Sequence, residues 1–314
     1  MTMKPGLRDF FWMAVGAAAF LALILFVFRF RPLQSSAEQL AFRARRVELV
    51  EQMRLSVASA SEAEKSAVMA ITDEDSQTYA DQARTATAAV EQRRRELGQL
   101  LTQGGAKDEQ DSLAKFSDAF AQFQRIDKTL LDLAVRNTNL KAYSLAFGPA
   151  AAVLREMDTA LVRVGAARGN SPSADDLKVL QLADNARLAA LRLLVLLPPH
   201  IAEESDQKMD EIEAAMAEED QAVRRDLDAL SAFSILSGSP DLATATVDYS
   251  RFTELRKQIL RLSRENTNVR SLAMSLSEKR KVTVLCQDAL AALEQAIQEE
   301  PIAGLSNRAP VSPR

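Results

Sequence analysis

The sequence predicts an all-α protein: an N-terminal transmembrane helix followed by two tandem antiparallel four-helix bundles. Three observations carry this. The 314 residues are 47% hydrophobic but only 5% aromatic, with 10 Gly, a balance that suits long Ala- and Leu-rich helices. The phrase LAVRNTNLKAYSLAF at 133–147 returns as LSRENTNVRSLAMSL at 262–276, which marks an internal duplication. Residues 10–28, FFWMAVGAAAFLALILFVF, carry no charge.

That apolar run is nineteen residues long, about 28 Å as a helix, enough to cross the hydrocarbon core. A cleaved signal peptide is the rival reading. Its apolar core is shorter and a small-residue site follows it, whereas Arg29, Arg31 and Pro32 follow here. Residues 1–35 are therefore read as a tail and a single-pass anchor in the inner (cytoplasmic) membrane, with the bilayer as partner. Orientation stays open on charge. Arg29, Arg31, Arg43, Arg45 and Arg46 after the run outnumber Lys4 and Arg8 before it, which favours a cytoplasmic body. Large domains translocate despite such charge, and a periplasmic body is the reading adopted.

The duplication extends past the repeated phrase. Phe123, Leu130 and Leu133 correspond to Phe252, Ile259 and Leu262, while Met157, Ala160 and Leu161 correspond to Cys286, Ala289 and Leu290. Upstream the offset grows by one, so that Ile71, Leu97 and Leu100 meet Ile201, Leu227 and Leu230. Bundle 1 is assigned to 36–168, bundle 2 to 169–300, and 301–314 to a disordered tail. GAARGNSPSADD at 165–176 reads as the linker.

In the first helix Val50, Met53, Val57, Ala60, Ala67 and Ile71 step by three and four, with Glu64 on the same seam. Thr72 is placed as an N-cap before an acidic turn. Gly104 and Gly105 end the second helix. Phe116, Ala119, Phe123, Ile126, Leu130 and Leu133 form the seam of the third. In the second copy Pro198–Pro199 is expected to end a helix, and Pro240 to sit at N1 of another.

Asn137-Thr138-Asn139 admits two readings. Continuing the seam puts Asn137 in the core, where a buried Asn fixes register. Breaking the chain there gives helices over 40–71, 75–103, 108–136 and 139–166, whose matched lengths suit antiparallel neighbours. The second reading makes the phrase the third corner of each unit, with Gly148–Pro149 kinking the fourth helix.

The net charge of −4, with no basic stripe and no interleaved aromatics, excludes a nucleic-acid partner. One cysteine (Cys286) and one histidine (His200) leave no disulfide framework and argue against a metal site or a His-centred catalytic system. No metal, cofactor or enzymatic activity is expected. Cys286 reads as a buried thiol, and Arg93-Arg94-Arg95 as a solvated face.

An anchor leading into VELVEQMRLSVASASEAEKSAVMAITDEDSQTYADQARTATAAVEQRRRELGQLL and then NTNLKAYSLAFGPAAAVLREMDTALVRV resembles the four-helix-bundle sensory domain of methyl-accepting chemotaxis receptors. The resemblance implies an extracytoplasmic module, normally a homodimer, that senses an unknown small ligand or the state of the envelope. Family members also carry a second membrane helix, a HAMP linker and an output domain. None is recognised here, so a signal is expected to pass to a partner, such as a membrane receptor or a histidine kinase. A scaffolding envelope protein is the alternative.

Five residues are singled out as ligand-binding candidates, the first of them through the resemblance. Arg54 suits a ligand carboxylate, because family members use a polar residue of the first helix this way. Glu64 lies on the same helix, and its plainer reading is a rim pair with Lys65. Asn137 and Asn266 are candidates whose plainer role is capping. His200 is the one group with an ordinary pKa near neutrality, although no partner for it is visible in the sequence.

Overall fold

A computed structural model describes residues 36–166 and 172–301. Within them the fold is all-α. The helices are α1 (Ser36–Met69), α2 (Asp73–Gly104), α3 (Lys107–Ala134), α4 (Thr138–Leu145), α5 (Ala151–Gly165), α6 (Ala174–Ala202), α7 (Asp206–Ser231), α8 (Pro240–Glu265), α9 (Thr267–Met274) and α10 (Arg280–Glu299). The expected anchor at 10–28 lies outside the described residues, as do Asn170 in the linker and the tail from 302. Among the described residues no helix is long and apolar enough to cross a membrane.

Local signals set most helix ends. The Thr72 hydroxyl accepts from the Asp75 amide at 3.0 Å, and Ser239 caps α8 ahead of Pro240. A reciprocal capping box joins Ser173 and Asp176 at the start of α6. Two ends differ from expectation. α1 stops at Met69, so Ile71 leaves the seam and is 79% exposed, whereas its counterpart Ile201 is fully buried. The reason is that α6 does not stop at its prolines. Pro198 and Pro199 sit inside its last turns. Their fixed φ is close to helical, while each fails to donate a backbone bond and crowds the carbonyl four residues back, a cost the helix bears over its last turns.

The helices gather around separate cores, but the cores do not follow the two copies. Leu49, Met53 and Val57 of α1, Val90 and Leu97 of α2, and Phe116 and Phe123 of α3 share a core with Val282, Cys286, Leu290 and Ile297 of α10. Met157, Leu161 and Val164 of α5 instead share a core with α6, α7 and α8. Each copy has given its last helix to the other. The boundary at 168/169 thus separates the repeats without separating the cores.

The crossing point is the repeated phrase. Asn137 and Asn266 have φ of 51° and 52°, left-handed conformations that break the helix there. Asn tolerates this better than most residues. The break is therefore real, and the expected corner is half right. The chain does not fold back onto α3; it carries on into the other group, where α4 packs on α8. The two tracks 107–165 and 240–299 each run through both groups, about 85 Å along the first.

Both tracks also carry a π-turn, at Ala146–Ala150 and at Ser275–Lys279, in matching positions. The first contains Pro149, as the Gly-Pro pair implied, but the second has no proline. The bulge therefore belongs to the duplicated packing geometry rather than to proline alone.

Exchange makes a prediction about fragments. Residues 36–166 alone lack α10, yet carry Val153, Met157, Leu161 and Val164 where α10 has Val282, Cys286, Leu290 and Leu293. Two such fragments should trade last helices and form a symmetric dimer. Light scattering after gel filtration should give twice the fragment mass; a folded monomer would refute the exchange.

Candidate functional site at the crossover

The crossover is built from side chains that cap each other's helices. Neither Asn137 nor Asn266 caps the helix it precedes. Instead the Thr138 amide donates to Thr267 Oγ1 at 3.2 Å, and the Thr267 amide to Thr138 Oγ1 at 3.1 Å. The Asn139 amide donates to Asn268 Oδ1 and the Asn268 amide to Asn139 Oδ1, both at 3.1 Å. Around these, Asn139 Nδ2 donates to Asn266 Oδ1 at 2.8 Å and Asn268 Nδ2 to Asn137 Oδ1 at 2.9 Å. The pattern is two-fold and satisfies the amides that a helix start leaves unpaired.

The ring is tied outward to the short connections of both groups. Asn137 Nδ2 donates to Asp73 Oδ1 at 3.0 Å, and Asn266 Nδ2 to the Glu203 carbonyl at 2.8 Å. Lys141, 3.0 Å from Asp73, holds that carboxyl below its usual range, with Asn137 assisting. Asn139 Nδ2 also reaches the Ile201 carbonyl at 2.7 Å. Asn137 and Asn266 are thus brought together by the fold, but as buried mutual partners with their amide oxygens and nitrogens occupied.

His200 sits one residue away and is not the lone corner histidine the sequence suggested. It is fully buried. Its Nδ1 lies 2.8 Å from Ser263 Oγ, and its Nε2 lies 2.9 Å from Glu213 Oε1. Burial pushes the imidazole pKa down, against the pull of Glu213. Burial alone would raise Glu213, but Arg264 and His200 outweigh it and hold the carboxyl below its usual range. In a neutral ring with its proton on Nε2, toward Glu213, Nδ1 competes with the His200 carbonyl for the single Ser263 hydroxyl proton. The Ser263 hydroxyl also lies 3.0 Å from the His200 carbonyl. Serine, histidine and glutamate are in sequence-distant contact here, but Ser263 and His200 are both fully buried, so no substrate reaches the hydroxyl.

Glu64 is the second departure. It is fully buried rather than on a rim with Lys65. Around it are Lys279, which is ion-paired to Asp127 and stands 3.2 Å over the Phe123 ring, and Ser275. Both Glu64 carboxylate oxygens lack a partner of ordinary hydrogen-bond geometry. Burial pushes the Glu64 pKa up and the Lys279 pKa down. The thiol of nearby Cys286 is pushed up to about 12 by burial, as a core cysteine should be. The second group has Leu194, Arg256, Ala150 and Ala146 where the first has Glu64, Asp127, Lys279 and Ser275, so the duplicated fold does not need this cluster.

Arg54 is not part of either assembly. It bridges Glu51 and Glu294 on the outside, its side chain 34% exposed, and such pairs contribute little. Arg94 and Arg95 both pair with Glu91, which they hold down to about 2. Among the described residues no group of His, Cys, Asp and Glu could hold a metal ion.

Two measurements follow from this geometry. Asn266→Leu removes the bonds to Asn139 Nδ2 and to the Glu203 carbonyl and forces a bulky residue into the left-handed region. About 3 kcal/mol of stability should be lost in urea unfolding; a gain would place Asn266 on an ordinary seam. Glu64→Leu should stabilise by on the order of 1–2 kcal/mol at pH 7. The sign follows from the raised pKa. A protonated Glu64 fits the folded state up to its ordinary pKa of about 4.3, and stability is lost as pH rises toward and past the folded value. The gain on substitution should therefore shrink below about pH 4; a gain that is constant with pH would contradict a buried, neutralised carboxyl.

Comparison of the sequence with protein-family models gives no match, and comparison with curated proteins gives none either.

Proposed function

We propose that this chain is a membrane-anchored sensory module of chemoreceptor type, with two antiparallel four-helix bundles stacked end to end and a periplasmic body. It binds a small ligand without catalysis and passes the result, as a homodimer, to a partner such as a membrane receptor or histidine kinase. One observation supports this most. The tracks 107–165 and 240–299 each belong to both groups, pack against each other along their length and exchange helix-start hydrogen bonds at the crossover. A shift of a helix in the second group therefore displaces its continuation in the first.

The ends of the chain suit the same reading. Arg46, ten residues into α1, pairs with Glu109 and with Glu300 beyond α10, so the start of α1 and the end of α10 meet at one end. The proposed anchor at 10–28 leads into that end. A displacement of α10 would be delivered beside the membrane, where a partner could read it.

A scaffolding role is the second reading, favoured by exposed apolar residues along α6. Leu188, Leu191 and Val195 are 49%, 55% and 63% exposed at three- and four-residue steps, the spacing of an association seam.

A reporter that works only outside the cytoplasm, fused after residue 314, should be active. Activity only of a cytoplasmic reporter would overturn the localisation and the sensory reading with it.

A further inference from the structure

The two copies of the repeat differ where the second turns the corner from α6 into α7. His200, Glu213, Ser263 and Arg264 stand at positions held in the first copy by Ala70, Ala83, Ala134 and Val135. Ala83, Ala134 and Val135 share one small apolar cluster. The duplicated fold thus closes this corner without polar groups, and packing does not call for a buried histidine there.

Three short contacts run in series through the polar version. His200 Nε2 faces Glu213 Oε1 at 2.9 Å, His200 Nδ1 faces Ser263 Oγ at 2.8 Å, and Ser263 Oγ faces the His200 carbonyl at 3.0 Å. Each needs a proton between its heavy atoms, because two lone pairs at that distance repel. A neutral ring and the serine hydroxyl bring two protons to three contacts. Moving the ring proton from Nε2 to Nδ1 fills the two serine contacts but sets Nε2 bare against the Glu213 carboxylate. One further proton, on the ring or on Glu213, fills all three.

The charges around the corner favour the same state. α8 contributes Arg264, which pairs with Glu213, Asp210 and Asp206 of α7, so with a neutral ring one guanidinium serves three carboxylates. α4 approaches through uncharged Asn139 and Tyr143, on the carbonyls of Ile201 and Pro198. The π-turn at Ala146–Ala150 has no titratable side chain. Burial and Arg264 oppose a charged ring, but an imidazolium against Glu213 is a paired and hydrogen-bonded charge.

We propose that His200 and Glu213 together hold one proton more than a neutral ring and a carboxylate at neutral pH, and that this proton ties α6 to α8 beside the crossover. The proton belongs to the pair rather than to either group. While it is bound, the Ser263 hydroxyl is committed to the His200 carbonyl and fastens α8 to the end of α6. When it leaves to solvent through the partly exposed Glu213, Nδ1 competes for the serine proton and the fastening is lost. The carbonyls of Ile201 and Glu203, just beyond, hold Asn139 and Asn266, so the site acts on the bonds that join the two groups. It does so with no small ligand involved.

The chain has one histidine, so every imidazole resonance of the full chain in detergent, purified through a histidine-free tag, belongs to His200. Nitrogen-15 spectra at about pH 7 should show a proton on Nδ1, with a titration midpoint above the ordinary value of about 6.5. A bare Nδ1 at that pH overturns the proposal, as does a midpoint at or below 6.5 or no transition up to about pH 10. Glu213→Gln should lower the midpoint by about one unit or more; an unchanged midpoint removes Glu213 from the site and overturns the pair. A pair that holds its proton more tightly when folded stabilises fully below about pH 6.5, and that contribution is lost as pH rises through the folded midpoint. The melting temperature should therefore fall relative to His200→Gln between about pH 6 and pH 9. A difference that stays flat or grows over that range rejects the fastening.

Discussion

The exchange of helix starts between two left-handed asparagines is the constraint on which the architecture rests. A helix that begins in the protein interior must satisfy amides that have no intrahelical acceptor. Here each of the two starts finds its acceptors on the other, through Thr138 with Thr267 and Asn139 with Asn268. Neither α4 nor α9 can be built into the interior alone. The two-fold arrangement of the helices, and the sharing of each track between two cores, follow from that mutual dependence.

Much of the fold was legible in the sequence because helix ends have local chemistry. Thr72 and Gly105 act within a few residues of themselves, as does Ser239 ahead of Pro240, and their neighbours announce them. The apolar step of three and four located the buried faces for the same reason. What it could not locate was the helix that covers each face. Val153 and Val282, or Leu161 and Leu290, are interchangeable as apolar partners, so either copy's last helix satisfies the pattern. The signal that distinguishes the two is the repeated phrase itself. Asn-Thr-Asn supplies donors and acceptors in a set that is complementary to its own copy.

The candidate site was less legible, because its partners come from distant positions. Nothing near His200 in the chain points to Ser263, 63 residues away. Glu64 lay on a seam otherwise filled by apolar residues, and its charge argued for the surface. The seam position was the better guide, and the cation that makes burial tolerable, Lys279, comes from the other copy. Arg54 drew attention by its chemistry alone, and geometry puts it among ordinary surface pairs. Pro198–Pro199 misled in the opposite direction, since a rule about interior proline is weaker in a final turn.

The last helix of the chain completes the first core, which governs how the protein reaches its folded state. α1 has its core partner Val282 more than two hundred residues further along the chain. Contacts of such sequence separation form late and slow the search. During synthesis the N-terminal helices would stand with an open apolar groove until α10 leaves the ribosome. Any passing chain with a copy of the same helix fits that groove, including the protein's own α5 and a neighbour's α10. Intermolecular mispairing is the characteristic hazard of such an arrangement, and dilution or a holding chaperone during synthesis would guard against it.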